Sequence, residues 1–287
     1  MVINQPLVSV LMTAYNRQAF ISEAIESVLA STYPNFELII VDDGSTDDTV
    51  SIAENYSAND IRVKVYVNEQ NLGDYPNRNR AANYASGEYL MYVDSDDTIF
   101  PDSIEYCVSS MLQFKTAGFG IYWAYKECAP FIRSSDEAIQ KNFGEEPFLG
   151  MGPGGTFLKR SFFNAVGGYP TKYGPANDMY FNLKAVCYSA VVLLPWKFMN
   201  YRIHENQERN NHEGYILNNY LYYEDALREL PFKLDAALLK RMKSANKRRF
   251  LFNIFQLLFI KGEFKILLRI VRKARFGFTD ICNAFSI

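Results

Sequence analysis

With 287 residues, 48% of them hydrophobic and 22% charged, the chain is long enough for one α/β core with an appendage and too apolar to be dominated by disorder. A net charge of -2 gives no reason to expect nucleic acid as a partner. Cys107, Cys128, Cys187 and Cys282 are scattered with no C-x-x-C pair, which argues against a zinc knuckle or a disulfide framework and for a reducing cytosol.

The opening MVINQPLVSV has no basic region ahead of its apolar stretch, so no signal peptide is expected, and no apolar run reaches the length a bilayer span needs. Leu7 to Thr13 is a run of buried-strand type, followed by a polar turn at Ala14 to Arg17 and an amphipathic helix from about Gln18 to Ala30. Tyr33, Pro34 and Asn35 turn the chain into a second strand, Glu37 to Val41. That strand ends in Asp42-Asp43-Gly44-Ser45-Thr46-Asp47-Asp48 and a helix to about Tyr56. Val63 to Val67 is a third strand, Asn68 to Asn77 a polar loop, Arg78 to Ala85 a helix, and Tyr89 to Val93 a fourth strand. Strands alternating with helices give an α/β fold with a mostly parallel central sheet, and such sheets bind ligands at the carboxyl ends of their strands.

Those ends carry Thr13 and Tyr15, then Asp42, then Asn71 and Gly73, then Asp94 and Asp96, with Arg78 as a nearby cation. An aromatic ring, carboxylates and a basic residue suit a base, a ribose and a metal-bridged diphosphate. The carboxylates of Asp94, Asp96 and Asp97 repel one another unless a cation or hydrogen-bond donors offset their charge. Taken alone, the cluster reads more readily as an acidic turn with Asp97 capping the helix that follows Pro101. Neither G-x-G-x-x-G after the first strand nor G-x-x-x-x-G-K-[ST] occurs, which removes the dinucleotide oxidoreductase and P-loop readings.

The segments PLVSVLMTAYNRQAFISEAIESVLASTYPNFELIIVDDGSTDDT, NEQNLGDYPNRNRAANYASGEYLMYVDSDD, GGTFLKRSFFNAVGGY, ANDMYFNLKA and YRIH together resemble the family 2 glycosyltransferases of GT-A fold. The resemblance is dense through Thr98, sparser to about His204 and absent beyond. It implies a GT-A domain over residues 1–210, with a Rossmann-like nucleotide-sugar-binding part over 1–98 and an acceptor-side part over 99–210. The implied reaction moves a sugar, with inversion and with Mg²⁺ or Mn²⁺, from a nucleotide-sugar (a UDP-sugar in this reading) to an acceptor hydroxyl. The acceptor would be a glycan or lipid-linked glycan in cell-surface polysaccharide, O-antigen or capsule biosynthesis.

By the same resemblance Thr13, Tyr15 and Asp42 hold the nucleoside, and Arg78 belongs to an Arg-Asn pair near the donor, with Arg80 as its rival. Asp94 faces the ribose or the sugar, Asp96 is the direct metal ligand, and His204 of Tyr201-Arg202-Ile203-His204 completes the metal site. An imidazole beside a carboxylate tilts the metal toward Mn²⁺. Asp178 is the general base on the acceptor hydroxyl; the family reads Glu-Asp there, whereas this chain has Asn177 before Asp178. Locally, Asp178 is also an N-cap for a helix from Met179 to Cys187. The glycine-rich stretch Gly150 to Tyr169, with a strand at Thr156 to Lys159, faces the acceptor by resemblance. Tyr122, Trp123 and Tyr125 follow a strand pattern of core type, and His212 matches nothing and is taken as a surface residue. A catalytically silent nucleotide-sugar or glycan-binding module of the same fold is the alternative; the presence of both Asp96 and Asp178 favours the enzyme.

Residues 211–287 change character. Leu217 to Leu230 is an amphipathic helical stretch, and Lys240 to Arg275 holds 12 Lys and Arg against Glu263, leaving 18 basic and 31 acidic residues elsewhere. Phe250, Phe252, Phe255, Leu257 and Phe259 lie among these charges, too apolar for a solvated face. Such a basic amphipathic helical region is expected to rest on an anionic membrane surface or to join homo-oligomers. The expected location is cytoplasmic, peripheral on the inner face of the membrane.

Overall fold

The computed structural model describes residues 5–124, 126, 129–204, 212–260 and 262–285. Tyr125, Cys128, the domain boundary expected at 210/211 and the side chain of His212 lie outside the described residues. In chain order the strands are β1 (Val8–Ala14), β2 (Phe36–Asp42), β3 (Val63–Val67), β4 (Tyr89–Tyr92), β5 (Thr98–Ile99), β6 (Phe119–Tyr122), β7 (Phe131–Arg133), β8 (Thr156–Lys159), β9 (Val191–Leu194) and β10 (Met199–Asn200). Among them run the helices α1 (Ile21–Leu29), α2 (Thr49–Asn59), α3 (Asp74–Tyr84), α4 (Ser103–Gln113), α5 (Ser135–Gly144), α6 (Arg160–Ala165) and α7 (Asn177–Tyr188).

The apolar runs of β2 and β4 are buried at every position because the sheet is covered on both faces. Alternate residues of β1 serve opposite cores: Leu11 packs with Leu90, Phe119 and Phe181, whereas Val10 and Met12 pack with Ile25, Met91 and Ile104. Helix α1 docks through Ile21, Ala24, Ile25 and Val28, spaced for a single helical face.

The sheet order is β3-β2-β1-β4-β8-β6-β9-β7. Its first four strands are parallel, as alternating strands and helices require. The other half is mixed, since β8 runs antiparallel to β4 and β6 and β7 antiparallel to β9. The order turns back at β1, with β2 on one side and β4 on the other, which opens a crevice at their carboxyl ends. A separate antiparallel ribbon pairs β5 with β10 and brings the segment after Asn200 back to the loop after β4.

Three local expectations are corrected. Helix α3 starts at Asp74 rather than Arg78, because Gly73 turns the chain with φ +89 and Pro76 falls in the first turn, where its missing N–H costs no hydrogen bond. Asp97 does not cap the helix after Pro101: α4 starts at Ser103 with Asp102 in the capping position, while the Asp97 carboxylate accepts the Arg202 backbone N–H at 2.9 Å. Asp178 is not an N-cap either, since α7 already begins at Asn177 and places Asp178 in its first turn.

Beyond the core come α8 (His212–Glu229), α9 (Ala236–Phe255), a π turn at Gln256–Ile260, α10 (Phe264–Ala274) and α11 (Phe278–Ala284). Helix α8 belongs to two clusters: its Tyr222 and Ala226 join the sheet core, while Leu217 and Tyr220 pack with Phe250, Leu257, Leu267 and Ile270. Asp225 anchors α8 to the sheet domain by accepting from the Tyr173 hydroxyl at 2.8 Å and Lys172 Nζ at 3.1 Å. No helix among the described residues is long and apolar enough to cross a membrane.

Candidate active site

A cavity of about 580 Å³ opens at the carboxyl ends of β1 and β4. Thr13, Tyr15, Arg78, Asp94 and Asp96 line it from the first half of the chain, and Gly152, Pro175, Asp178 and Met179 from the second. Tyr15 is 45% exposed, so its ring is open to a flat ligand. Asn16 holds this turn in the left-handed region at φ 52, with its side-chain oxygen accepting the Thr46 N–H at 2.8 Å.

Asp42 lies outside the cavity wall. It is 1% exposed, and its Oδ1 accepts the backbone N–H groups of Gly44 (3.0 Å) and Ser45 (2.7 Å), closing its own loop. The carboxylate that borders the cavity is that of Asp43, whose Oδ1 accepts from Leu72 N at 2.8 Å and whose Oδ2 accepts from Gly73 N at 2.9 Å. Successive residues at a strand end point to opposite sides, so the Asp-Asp pair divides between loop and cavity.

Arg78 is 7% exposed, with Nε 2.8 Å from Asp74 Oδ1 and Nη1 2.6 Å from Asp94 Oδ1. Burial alone would lower its pKa, but Asp74 and Asp94 hold the guanidinium well above its ordinary value. The rings of Tyr75 and Tyr92 lie 5.7 and 5.9 Å from the guanidinium carbon. Arg80 instead donates to the Tyr84 hydroxyl at 3.2 Å and is not part of the cavity wall.

Ligand oxygens of Asp94, Asp96 and Asp97 lie within 4.8 Å of one another. Asp96 Oδ2 accepts Arg17 Nε at 3.1 Å and stands 2.9 Å from His204 Nε2, so two residues paired only by resemblance in the sequence meet across 108 positions. Arg202 makes that meeting possible. Besides its N–H to Asp97, its guanidinium reaches the Asp96 carbonyl, the Glu23 carboxylate and, at 3.2 Å, the Phe20 carbonyl. The His204 ring stacks on Phe20 with centroids 4.5 Å apart. Burial first, then the charge of Asp94, pushes the Asp97 carboxyl up to about 7, with the Arg202 N–H pulling it back. Asp97 Oδ2 is buried with no hydrogen-bond partner among the described residues. An orphaned carboxylate oxygen beside two more carboxylates and one imidazole is a donor set suited to a hard divalent cation that tolerates a single nitrogen, so these residues fit Mg²⁺ or Mn²⁺.

Asp178 is 6% exposed, and its Oδ1 accepts the Met179 N–H at 2.7 Å. A Cβ added to Gly152 would stand 3.5 Å from Asp178 Oδ2, an ordinary contact, so Gly152 lies beside that oxygen in the cavity wall. Burial pushes the carboxyl up to about 7, against the Met179 N–H, a Tyr75 hydrogen bond and the Arg78 charge, which lower it. Asn177 closes the turn that aims α7, because its Oδ1 accepts Tyr173 N at 2.9 Å and its Nδ2 donates to the Gly174 carbonyl at 2.7 Å. A carboxyl that ionises near neutrality beside a cleft is equipped to take a proton.

Several wall residues carry no signal in the sequence. Arg17 reaches Asp96 from 79 positions away, and Tyr215 comes from α8, beyond the end of the resemblance.

Comparison with known proteins adds an independent line. Residues 9–167 match the family model described as glycosyl transferase family 2. An Escherichia coli relative named UDP-Glc:alpha-D-GlcNAc-diphosphoundecaprenol beta-1,3-glucosyltransferase WfgD is 41% identical over 107 residues, 37% of this chain and 42% of that one. The chain matches only 44%, 33% and 43% of the length of three further curated relatives. Among solved structures, S. aureus TarS 1-349 in complex with UDP superposes with a TM-score of 0.67 at 20% identity, covering 96% of this chain and 88% of that one. A mannosyltransferase from Pyrobaculum calidifontis, in complex with GDP-Man and Mn2+, gives 0.68 at 16% identity, covering 98% and 84%. At these identities the two structures speak for the fold, a GT-A sheet flanked by helices with further helices after it.

Proposed function

The chain belongs to glycosyl transferase family 2, and from that premise we propose that it is a metal-dependent, inverting glycosyltransferase using a UDP-sugar donor. The observation that carries this reading is the cavity itself, in which an acidic cluster fit for a dication and a buried carboxyl titrating near 7 share one wall system. A silent binding module would have no use for Asp178 held in this state.

In this reading the donor occupies the side formed by β1 and β4. Tyr15 offers its exposed face to the base, Thr13 and Asp43 its polar edge, and Asp94 with Arg78 the ribose and sugar hydroxyls. Asp96, with His204 and the neighbouring carboxylates, would hold the cation, which when bound neutralises the diphosphate as leaving group. Asp178 takes the proton of the acceptor hydroxyl as that oxygen attacks the anomeric carbon from the face away from the diphosphate, which inverts the configuration. Its oxygen toward Gly152 is the accepting atom, while the Met179 N–H fixes the other.

The UDP assignment follows the UDP in the TarS complex and the UDP-Glc in the name of the E. coli relative; the same name, with its diphosphoundecaprenol, supports a lipid-linked glycan acceptor for a cell-surface polysaccharide. With such an acceptor the protein works on the cytoplasmic face of the membrane as a peripheral protein. The reading is tested by incubating the purified protein with a panel of UDP- and GDP-sugars and Mn²⁺ and measuring nucleoside diphosphate release. Turnover of one UDP-sugar that stops in excess chelator is the expected result. Release that persists in chelator, or turnover confined to a GDP-sugar, refutes the metal or the nucleotide assignment respectively.

A further inference from the structure

We propose that the surface formed by α9, the π turn and α10 is a docking surface for an anionic lipid bilayer. This deepens the reading of a lipid-linked acceptor and rests on it only for its purpose, not for its physics.

The side of these elements that faces α8 is accounted for. Phe250, Leu257, Leu267 and Ile270 are buried against α8, and Glu263 N donates to the Leu257 carbonyl at 2.9 Å, folding the start of α10 back on the turn. The outer side is apolar where water should be. Phe252, Phe255, Phe259, Phe264 and Leu268 are each 52–68% exposed, and the Phe255 and Phe259 rings touch, with centroids 4.5 Å apart. Exposed aromatic side chains in one neighbourhood mark an interaction site rather than ordinary surface.

The surrounding charge decides what covers it. Lys265, Arg272 and Lys273 of α10 are exposed, interleaved with Phe264 and Leu268 on one short helix, while the exposed Arg269 is ion-paired with Glu213 at 3.2 Å. A second copy presenting the same face would set cations against cations. Duplex nucleic acid would meet the cations and leave the phenylalanine rings in water. An anionic bilayer satisfies both, because the lysine and arginine heads reach the phosphates while the rings enter the headgroup boundary.

The test is sedimentation of the full chain with phosphatidylglycerol–phosphatidylcholine vesicles and with phosphatidylcholine alone, at low and high salt. Binding is expected to need the anionic lipid and to weaken with salt without vanishing, since salt does not screen the apolar part. Lys265→Gln with Arg272→Gln should lower the partition about fivefold for each cation removed. Phe255→Ser with Phe259→Ser should lower it at least about tenfold and remove the salt-resistant fraction. All four positions are exposed, and circular dichroism and UDP-sugar hydrolysis of the variants confirm that the fold is kept. Protein that stays in the supernatant at low salt, binding that neither pair of substitutions alters, or self-association abolished by the phenylalanine pair without vesicle binding overturns the proposal. Lost vesicle binding with hydrolysis intact refutes this surface alone; intact vesicle binding with no hydrolysis refutes the catalytic reading and leaves the surface standing.

Discussion

At the carboxyl ends of β1 and β4, charges are matched atom to atom: the buried Arg78 spans Asp74 and Asp94, and Arg17 and His204 share Asp96 Oδ2. In the helices after residue 235, Lys265, Arg272 and Lys273 stand in the open beside phenylalanine rings. The first arrangement is preorganised, because each charged group is already held by a specific partner at hydrogen-bond distance. The second spreads its energy over many weak, salt-screened contacts. Single substitutions should therefore cost orders of magnitude in the cavity and small factors in the helices.

The largest effect is expected from Asp96→Ala, which removes the carboxylate that both Arg17 and His204 address. Loss of the cation's several kcal/mol of charge stabilisation corresponds to about three orders of magnitude or more in turnover, checked by nucleoside diphosphate release. Undiminished turnover would remove the cavity from that side of the comparison altogether.

Asp178→Asn should lower turnover by about two to four orders of magnitude in the same assay. In the wild type the base must be ionised to accept a proton and titrates near 7, so the rate should rise with pH to a plateau above about 7 and fall about tenfold per pH unit below it. Stability follows the opposite course. Burial raises the folded-state pKa from 3.8 to about 7, so the neutral form's contribution is complete below 3.8 and is lost as pH rises through about 7. Thermal melts should show Asp178→Asn more stable than wild type at pH 8, with the difference shrinking toward pH 4.

A smaller effect is expected from His204→Ala. It leaves the carboxylates in place and should weaken Mn²⁺ activation about 10- to 100-fold, read from the metal concentration giving half-maximal activity. The smallest belongs to truncation after Leu230. Helix α8 stays anchored through Tyr222, Ala226 and Asp225, so donor hydrolysis should remain within about threefold. Exposure of Leu217 and Tyr220, now covered by α9 and α10, should lower the melting temperature by several degrees.

The two regions also differ in how much of them can be read from sequence. The strands around the cavity are continuous apolar runs ending in polar residues, so β3 and β8 fall on their expected residues and β1, β2 and β4 within two. The same continuity hides the phase: with both faces buried, nothing in the pattern says whether Asp42 or Asp43 turns to the cavity. Pairings made across the fold are equally silent, as with Arg17 and Asp96, or Asp97 and the Arg202 backbone, which no local spacing encodes. His204 could be placed only through its motif, because a single histidine has no periodicity to betray it. In the helical region composition reveals the basic, apolar character, but which phenylalanines pack inward, such as Phe250, and which face out, such as Phe255, depends on contacts between α8, α9 and α10.

The division of the cavity into a donor side and a base is the central claim, and isothermal calorimetry with UDP and Mn²⁺ tests it most directly. Wild type and Asp178→Asn should bind UDP with the same affinity, while Asp96→Ala should lose Mn²⁺-dependent binding. Loss of UDP binding in Asp178→Asn, or unchanged Mn²⁺-dependent binding in Asp96→Ala, would contradict it.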